Sequence, residues 1–450
     1  MKILSLNGLL GYGYDRASLD RAMTMDIDVV GVDAGSTDPG PYYLGSGSSF
    51  TNRDAVKRDV ALVLPWAIEK HIPFIIGTAG GSGAKPHVAW LEEIIREIAA
   101  EHGLSFTIAV VETQVDAEYV LGKMAQNKVR SFSDYFPLTA ENVERCTNIV
   151  SQVGVDSIIS ALKTGADVVL CGRCCDTAIY AAPAIMNGMD EGLAIHMAKI
   201  MECGALCAEP MAASDCMVAQ IAADHFILEP ASLDRRCTVE RVAAHTMYEQ
   251  GNPYYIYEPD GMADLKESRY EQLDERRVRV SNSKFVPAKT PTLKLEGSMP
   301  VGFRSIAIAG VNDPETIRRM DAIFAAVKDF VSSSAPESIA PERYRLHLHS
   351  YGLPLDGRGW GGRVPDTGLG VILEVVADTQ EISRTILALA RAKLLHTDYA
   401  GRKSTAGNLA FPFSPSDIAC GPVYNFGIYH LVEVDDLCET TKITVRKVGA

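Results

Sequence analysis

The sequence predicts an α/β protein: an open, mostly parallel sheet with helices on both faces, followed by a ferredoxin-like α+β domain. Three observations carry that reading. In the first 210 residues, short β-branched runs alternate with amphipathic helical stretches, the pattern of a parallel sheet covered on both sides. Each run leads into a loop rich in glycine or small polar residues. After Phe303 the order becomes strand, helix, strand, strand, helix, strand, which is the βαββαβ plan.

Strands are expected at 2–6, 28–32, 73–76, 106–111 and 167–171, separated by helices such as 55–71, 87–102 and 117–127. Residues 140–165 carry apolar positions at helical spacing, and two further helices follow the strand ADVVLCGR. From 211 to 300 the pattern turns to strand-like pieces (HFILEP, PYYIYEP, RRVRVSNSKFV, TPTLKLEG) around one helix starting at Thr238. The expected domains are therefore 1–210 (α/β, with ligand-binding loops at strand ends), 211–300 (a β-rich intermediate segment) and 301–450 (βαββαβ). Two long connections in the last, 351–368 and 396–423, are of a length that is usually functional.

Composition narrows the function classes. The 450 residues are 47% hydrophobic and 22% charged, so a sizeable core is affordable and global disorder is excluded. A net charge of −14 repels phosphate backbones and anionic lipid, which argues against a nucleic-acid or membrane partner. No apolar run reaches the roughly eighteen residues of a membrane span, and no signal-like start is seen, so a cytoplasmic location is expected. Ten cysteines are too few for a disulfide scaffold.

Ligands of open parallel sheets bind beyond the carboxyl ends of the strands, and three such loops are rich in polar and charged groups. The first, VDAGSTDPGPYYLGSG, offers Asp33, Ser36, Thr37 and Asp38. The second, GTAGGSGAKPH, places Gly80, Gly81 and Ser82 before a helix start, an arrangement of free amides suited to an anion, with Lys85 and His87 adding charge. It is not a Walker loop, because Pro86 follows Lys85.

The third, CGRCCDTAIYAAP, carries Arg173 to clamp a carboxylate, Asp176 as cap or base, and Cys174 where a thiol would be acidified. His196 lies on a later helix, one face with Lys199 and Cys203, as a further acid–base candidate. In the carboxy-terminal loops, Arg358, Arg363 and Asn408 suit an anionic or planar ligand. The Gly8–Tyr14 stretch has the wrong spacing for a dinucleotide fingerprint, and the cysteine spacing is not a zinc pattern, so no cofactor is evident. A divalent ion on Asp33, Asp38 or His87 stays open as an enolate stabiliser.

Together VDAGSTDPGPYYLGSG, IIGTAGGSGAKPH, GADVVLCGRCCDTAIYAAPAI, IMECGALCAEP, GNPYYIYEPDG and TAGNLAFPFSPSD resemble the acyclic terpene utilisation (AtuA-type) family across almost the whole chain. The resemblance implies a setting like the bacterial breakdown of citronellol-like terpenes through CoA thioesters. It also implies a small partner protein or appended small domain; with the chain ending soon after its final strand, a separately encoded subunit is expected. Where many relatives have Arg-x-x-Asp-Pro, this chain has Arg173-Cys174-Cys175-Asp176-Thr177.

The resulting expectation is a homo-oligomeric enzyme acting on a small carboxylate or acyl-CoA by proton abstraction next to a carbonyl, a hydratase, dehydratase or isomerase. Arg173 would hold the carboxylate, Asp176 or His196 would move the proton, and the 80–87 loop would stabilise the oxyanion. The alternative is a non-catalytic subunit that binds a ligand or a partner.

Overall fold

The computed structural model describes residues 1–6, 8–132, 136–212, 214–352, 368–402 and 409–449. Two compact units form, one from Met1–Met299 with Phe426–Ala450 and the other from Pro300–Asn425.

The first unit is α/β, built on a ten-stranded mixed sheet. Its centre is parallel, in the order Lys2–Ser5, Val29–Asp33, Phe74–Gly77, Val168–Cys171, Phe106–Glu112. These strands are buried on both faces: Leu4, Val30, Phe74, Ile76 and Leu170 point into one core, while Ile3, Val29, Ile75, Val169 and Cys171 point into the other. Only a run apolar at consecutive positions can fill two cores at once, which is why the central strands were easy to read.

The expectation of a mostly parallel sheet needs correcting at both edges. Met217–Ile221, His225–Pro230, Val278–Ser281 and Arg269–Gln272 extend one edge antiparallel, and Lys442–Val448 pairs antiparallel with Phe106–Glu112 on the other. The cause lies in the side-chain pattern. His225–Pro230 and Val278–Ser281 alternate between buried and less buried residues, as hairpin strands with one covered face do. The β-rich stretch after residue 211 thus contributes strands to the same sheet.

Helix Asp176–Met186 lies against the parallel centre, and two glycines make room for it. A β-carbon on Gly31 would come within 2.8 Å of Ile179 and Tyr180, and one on Gly77 within 2.4 Å of Ile179. Helix Glu191–Met201 follows, started by Asp190, whose carboxylate accepts from the Leu193 amide at 2.9 Å. It is buried from Gly192 to Met201.

In the second unit, helices Pro314–Arg318, Met320–Ser334 and Gln380–His396 accompany strands Tyr344–Tyr351 and Leu369–Ala377, which pair antiparallel. Leu369–Ala377 also pairs antiparallel with Phe303–Val311. Ile317, Ile323, Val327, Leu373, Ile386 and Leu387 form the core beneath them. Arg358, Arg363 and Asn408 lie outside the described residues.

Gly83 holds a positive φ of 70°, and a β-carbon there would sit 2.1 Å from the Arg173 amide nitrogen and 2.5 Å from the Gly172 carbonyl carbon. Neither backbone atom can rotate away. Gly83→Ala is therefore expected to lower stability by about 3 kcal/mol, combining left-handed strain with overpacking. Urea unfolding would show it, and an unchanged midpoint would mean that the two loops do not meet.

Candidate active site

The loop Gly172–Cys175 carries the chain from strand Val168–Cys171 to helix Asp176–Met186. Beside that helix start a cavity of about 500 Å³ opens within the first unit, a size typical of small-molecule sites. Its lining includes Cys175, Asp176, Thr177, Lys199, Glu202, Glu258 and Lys294, with Arg130 and Phe132 at one side. These charged groups fall into three sets.

The first is a buried ion triad. Arg173 Nε donates to Glu296 Oε2 at 2.8 Å, and Lys294 Nζ meets Glu296 Oε1 at 2.7 Å. Glu296 is fully buried and Arg173 nearly so. Burial alone would raise the Glu296 carboxyl, but the Arg173 and Lys294 charges outweigh it and hold the group at about 2. Lys294 also lies 4.8 Å from the centre of the Tyr429 ring and 5.4 Å from that of Phe132.

In the second set, Lys199 donates to Glu202, both on or just after helix Glu191–Met201. Burial pushes the Glu202 carboxyl up to about 8 even though the Lys199 charge opposes it. The third set gathers at the start of helix Asp176–Met186. Thr177 Oγ1 donates to Glu258 Oε1 at 2.6 Å, and burial lifts Glu258 to about 7. Burial also raises Asp176, against the pull of Arg173 and Lys199. Glu258 Oε2 and Asp176 Oδ1 are both buried atoms without a hydrogen-bond partner among the described residues. Arg173 Nη1 stands 3.8 Å from Asp176 Oδ1, an ion-pair distance that is too long for a hydrogen bond.

Several residues singled out from the sequence meet here. Asp176 lines the cavity, and Arg173 stands directly behind it, its guanidinium committed to Glu296, the Cys174 carbonyl (2.9 Å) and Thr78 (3.3 Å). Asp33 is raised well above the usual carboxylate range by burial and then by the Asp176 charge, and its Oδ1 accepts from the Gly35 amide. Cys174 is fully buried beside Thr78; a hydrogen bond from Cys171 holds its thiol below the ordinary value despite that burial. Its neighbour Cys175 is the one that lines the cavity.

Others sit apart from the cavity lining. Ser36 donates to Asp38 on the exposed side of its loop, with Thr37 buried. Gly80, Gly81 and Ser82 form a buried loop, Lys85 is exposed, and both His87 ring nitrogens are engaged, Nδ1 with the Ala84 amide and Nε2 with the Ser48 carbonyl. That ring caps a helix and has no nitrogen left for a metal. Among the described residues, no three His, Cys, Asp or Glu side chains are grouped to hold an ion. His196 is fully buried between Ser283 (2.7 Å) and Thr246 (3.1 Å), and burial lowers it to about 3, so its ring is neutral at physiological pH.

Glu202, Glu258, Lys294, Glu296 and Arg130 did not stand out in the sequence. A signal existed for two of them: Lys294 and Glu296 are charges two apart in TLKLEG, so a strand puts both on one face.

Fold and site together define an α/β protein with a charge-lined cavity at a helix start. The chain belongs to the acyclic terpene utilisation family protein AtuA family, whose model matches residues 53–353 and so takes in Arg173, Asp176, Glu202, Glu258 and Lys294. No curated protein and no solved structure matches it.

Removing the Glu296 charge while keeping its shape leaves two buried cations uncompensated. Glu296→Gln should cost about 3–5 kcal/mol at pH 7. Because the folded carboxyl lies near 2 against an ordinary 4.5, this stabilisation exists above about pH 4.5 and fades as pH falls toward 2. Denaturant unfolding of both proteins at pH 7 and pH 4 should therefore show a difference that narrows on acidification; a gap independent of pH would point to lost packing instead.

Proposed function

We propose that this chain is an enzyme that moves a proton next to the carbonyl of a small carboxylate or acyl thioester, as a hydratase, dehydratase or isomerase does. The observation carrying the reading is Glu258: a carboxyl in the cavity lining with a near-neutral pKa, one oxygen fixed by Thr177 and the Cys175 thiol beside it. A general base needs that combination of position and pKa.

In this reading Lys294 and Arg130 receive the carboxylate or carbonyl oxygen and stabilise the charge that develops on it. Glu258 takes the proton from the adjacent carbon. The electron pair of that C–H bond forms the new double bond, and in a dehydration the C–O bond breaks as Glu202 gives its proton to the departing hydroxyl as water. Lys199 stabilises the Glu202 carboxylate left behind. Glu258 then releases its proton to solvent and Glu202 takes one up, which restores both groups. Arg173 acts at one remove, orienting Lys294 through their shared partner Glu296.

The base must be ionised and the acid protonated. Activity should rise as pH passes about 7 and fall beyond about 8, giving a narrow bell in kcat/KM. Glu258→Gln should lower turnover by roughly 100- to 10,000-fold. The measurement is turnover, or exchange of the substrate's acidic C–H with deuterium from solvent, for any acid or thioester that the protein binds. Full activity in Glu258→Gln would sink the assignment, and binding without exchange or turnover would favour a non-catalytic subunit.

A further inference from the structure

The mechanism above gives no task to Asp176. It sits at the first position of helix Asp176–Met186 and lines the cavity; its Oδ1 is buried 3.8 Å from Arg173 Nη1 with no hydrogen-bond donor among the described residues, while 29% of the side chain stays exposed. The carboxylate is thus held from behind, and the cavity is where a donor to its open side can arrive. Within the same cavity the opposite kind of chemistry stands at two cations, Lys294, which lies over the Phe132 ring, and Arg130. The lining also includes the polar side chains of Gln152, Thr290 and Thr292.

Resting on the reading of this cavity as an active site, we propose that its substrate is a hydroxylated small organic acid, bound as the free carboxylate, with a substrate hydroxyl donating to the open side of the Asp176 carboxylate and the substrate carboxylate held at Lys294 and Arg130. A free acid fits both ends. Its anionic group needs a cationic pole, which a neutral thioester carbonyl needs far less, and its hydroxyl supplies the proton that Asp176 lacks. Asp176 then selects among acids: one without the hydroxyl displaces water from the carboxylate and gives it no donor in return. The role is recognition, distinct from the proton transfer assigned to Glu258.

The test is a binding panel read by isothermal titration calorimetry on the whole chain. It pairs 3-hydroxybutyrate with butyrate, malate with succinate and gluconate with hexanoate, and adds 3-hydroxybutyryl-CoA. At least one hydroxy acid should bind about tenfold or more tightly than its deoxy partner. In Asp176→Asn that preference should disappear: the lost charge shifts the affinity of both members of a pair by a common factor, and their ratio should fall to about one. Lys294→Met should weaken both members of the pair by similar factors.

The proposal is overturned if hydroxy and deoxy acids bind alike, if the preference survives in Asp176→Asn, if only the thioester binds, or if no acid of the panel binds. Its failure and that of the catalytic reading are separable. Selective binding without turnover would uphold the recognition role and refute catalysis, whereas turnover of the thioester with no bound free acid would do the reverse.

Discussion

Arg173, Glu296 and Lys294 set the terms for everything around the cavity. Taking a carboxylate out of water costs several kcal/mol, and only good partners offset it. Glu296 has two, one on each oxygen, and Arg173 is further tied by its amide to Thr113 Oγ1 at 2.7 Å and by its guanidinium to the Cys174 carbonyl. The loop after strand Val168–Cys171 is therefore fixed from several sides before helix Asp176–Met186 begins. That rigidity gives Asp176, Thr177 and the Glu258 bound to Thr177 defined places.

Burial acts on every carboxyl at this site in the same direction, raising it; what separates them is how much positive charge each one meets. Glu296 meets two close cations and falls to about 2. Glu202 meets Lys199 but also the negative fields of Asp176 and Glu249, and stays near 8. Glu258 has a hydroxyl for its nearest partner and the Asp260 charge against it, and rests near 7. One cavity thus holds a permanent carboxylate and two carboxyls able to exchange protons near neutrality, a division set by neighbours alone.

The sequence made the parallel centre legible because a strand buried on both faces is apolar at consecutive positions, as in Val168–Cys171. The antiparallel edge was harder. Alternating strands such as Val278–Ser281 tell that one face is covered but do not name the sheet that they join. The third strand-end loop, singled out in the sequence, is the one that meets the cavity: Asp176 lines it and Arg173 adjoins it. What Arg173 holds was not readable, because Glu296 is 123 residues further along the chain. The Gly80–Ser82 loop illustrates the reverse case: its glycines resemble an anion cradle, yet Gly35 packs on the Gly81 backbone and Gly83 on Gly172 and Arg173, so close backbone packing already requires small residues there. Glycine marks close approach, and the sequence does not say whether a ligand or another loop approaches.

The two kinds of carboxyl also differ in what they do for stability. Glu296, depressed in the folded state, strengthens the fold above about pH 4.5. Glu202 and Glu258, raised to about 8 and about 7, do the opposite: the stability that they contribute is complete below about pH 4.5 and is lost as pH rises through those values. At neutral pH both therefore weaken the fold relative to apolar residues of similar size, which would fill the same wall without desolvating a charge. Glu258 Oε2 and Asp176 Oδ1 add to that cost by lacking hydrogen-bond donors among the described residues. Strain of this kind collected around a cavity, while the adjacent Arg173–Glu296–Lys294 triad is fully paired, is what a site built to engage a ligand looks like. The triad supplies the rigidity that lets the less stable groups keep their positions.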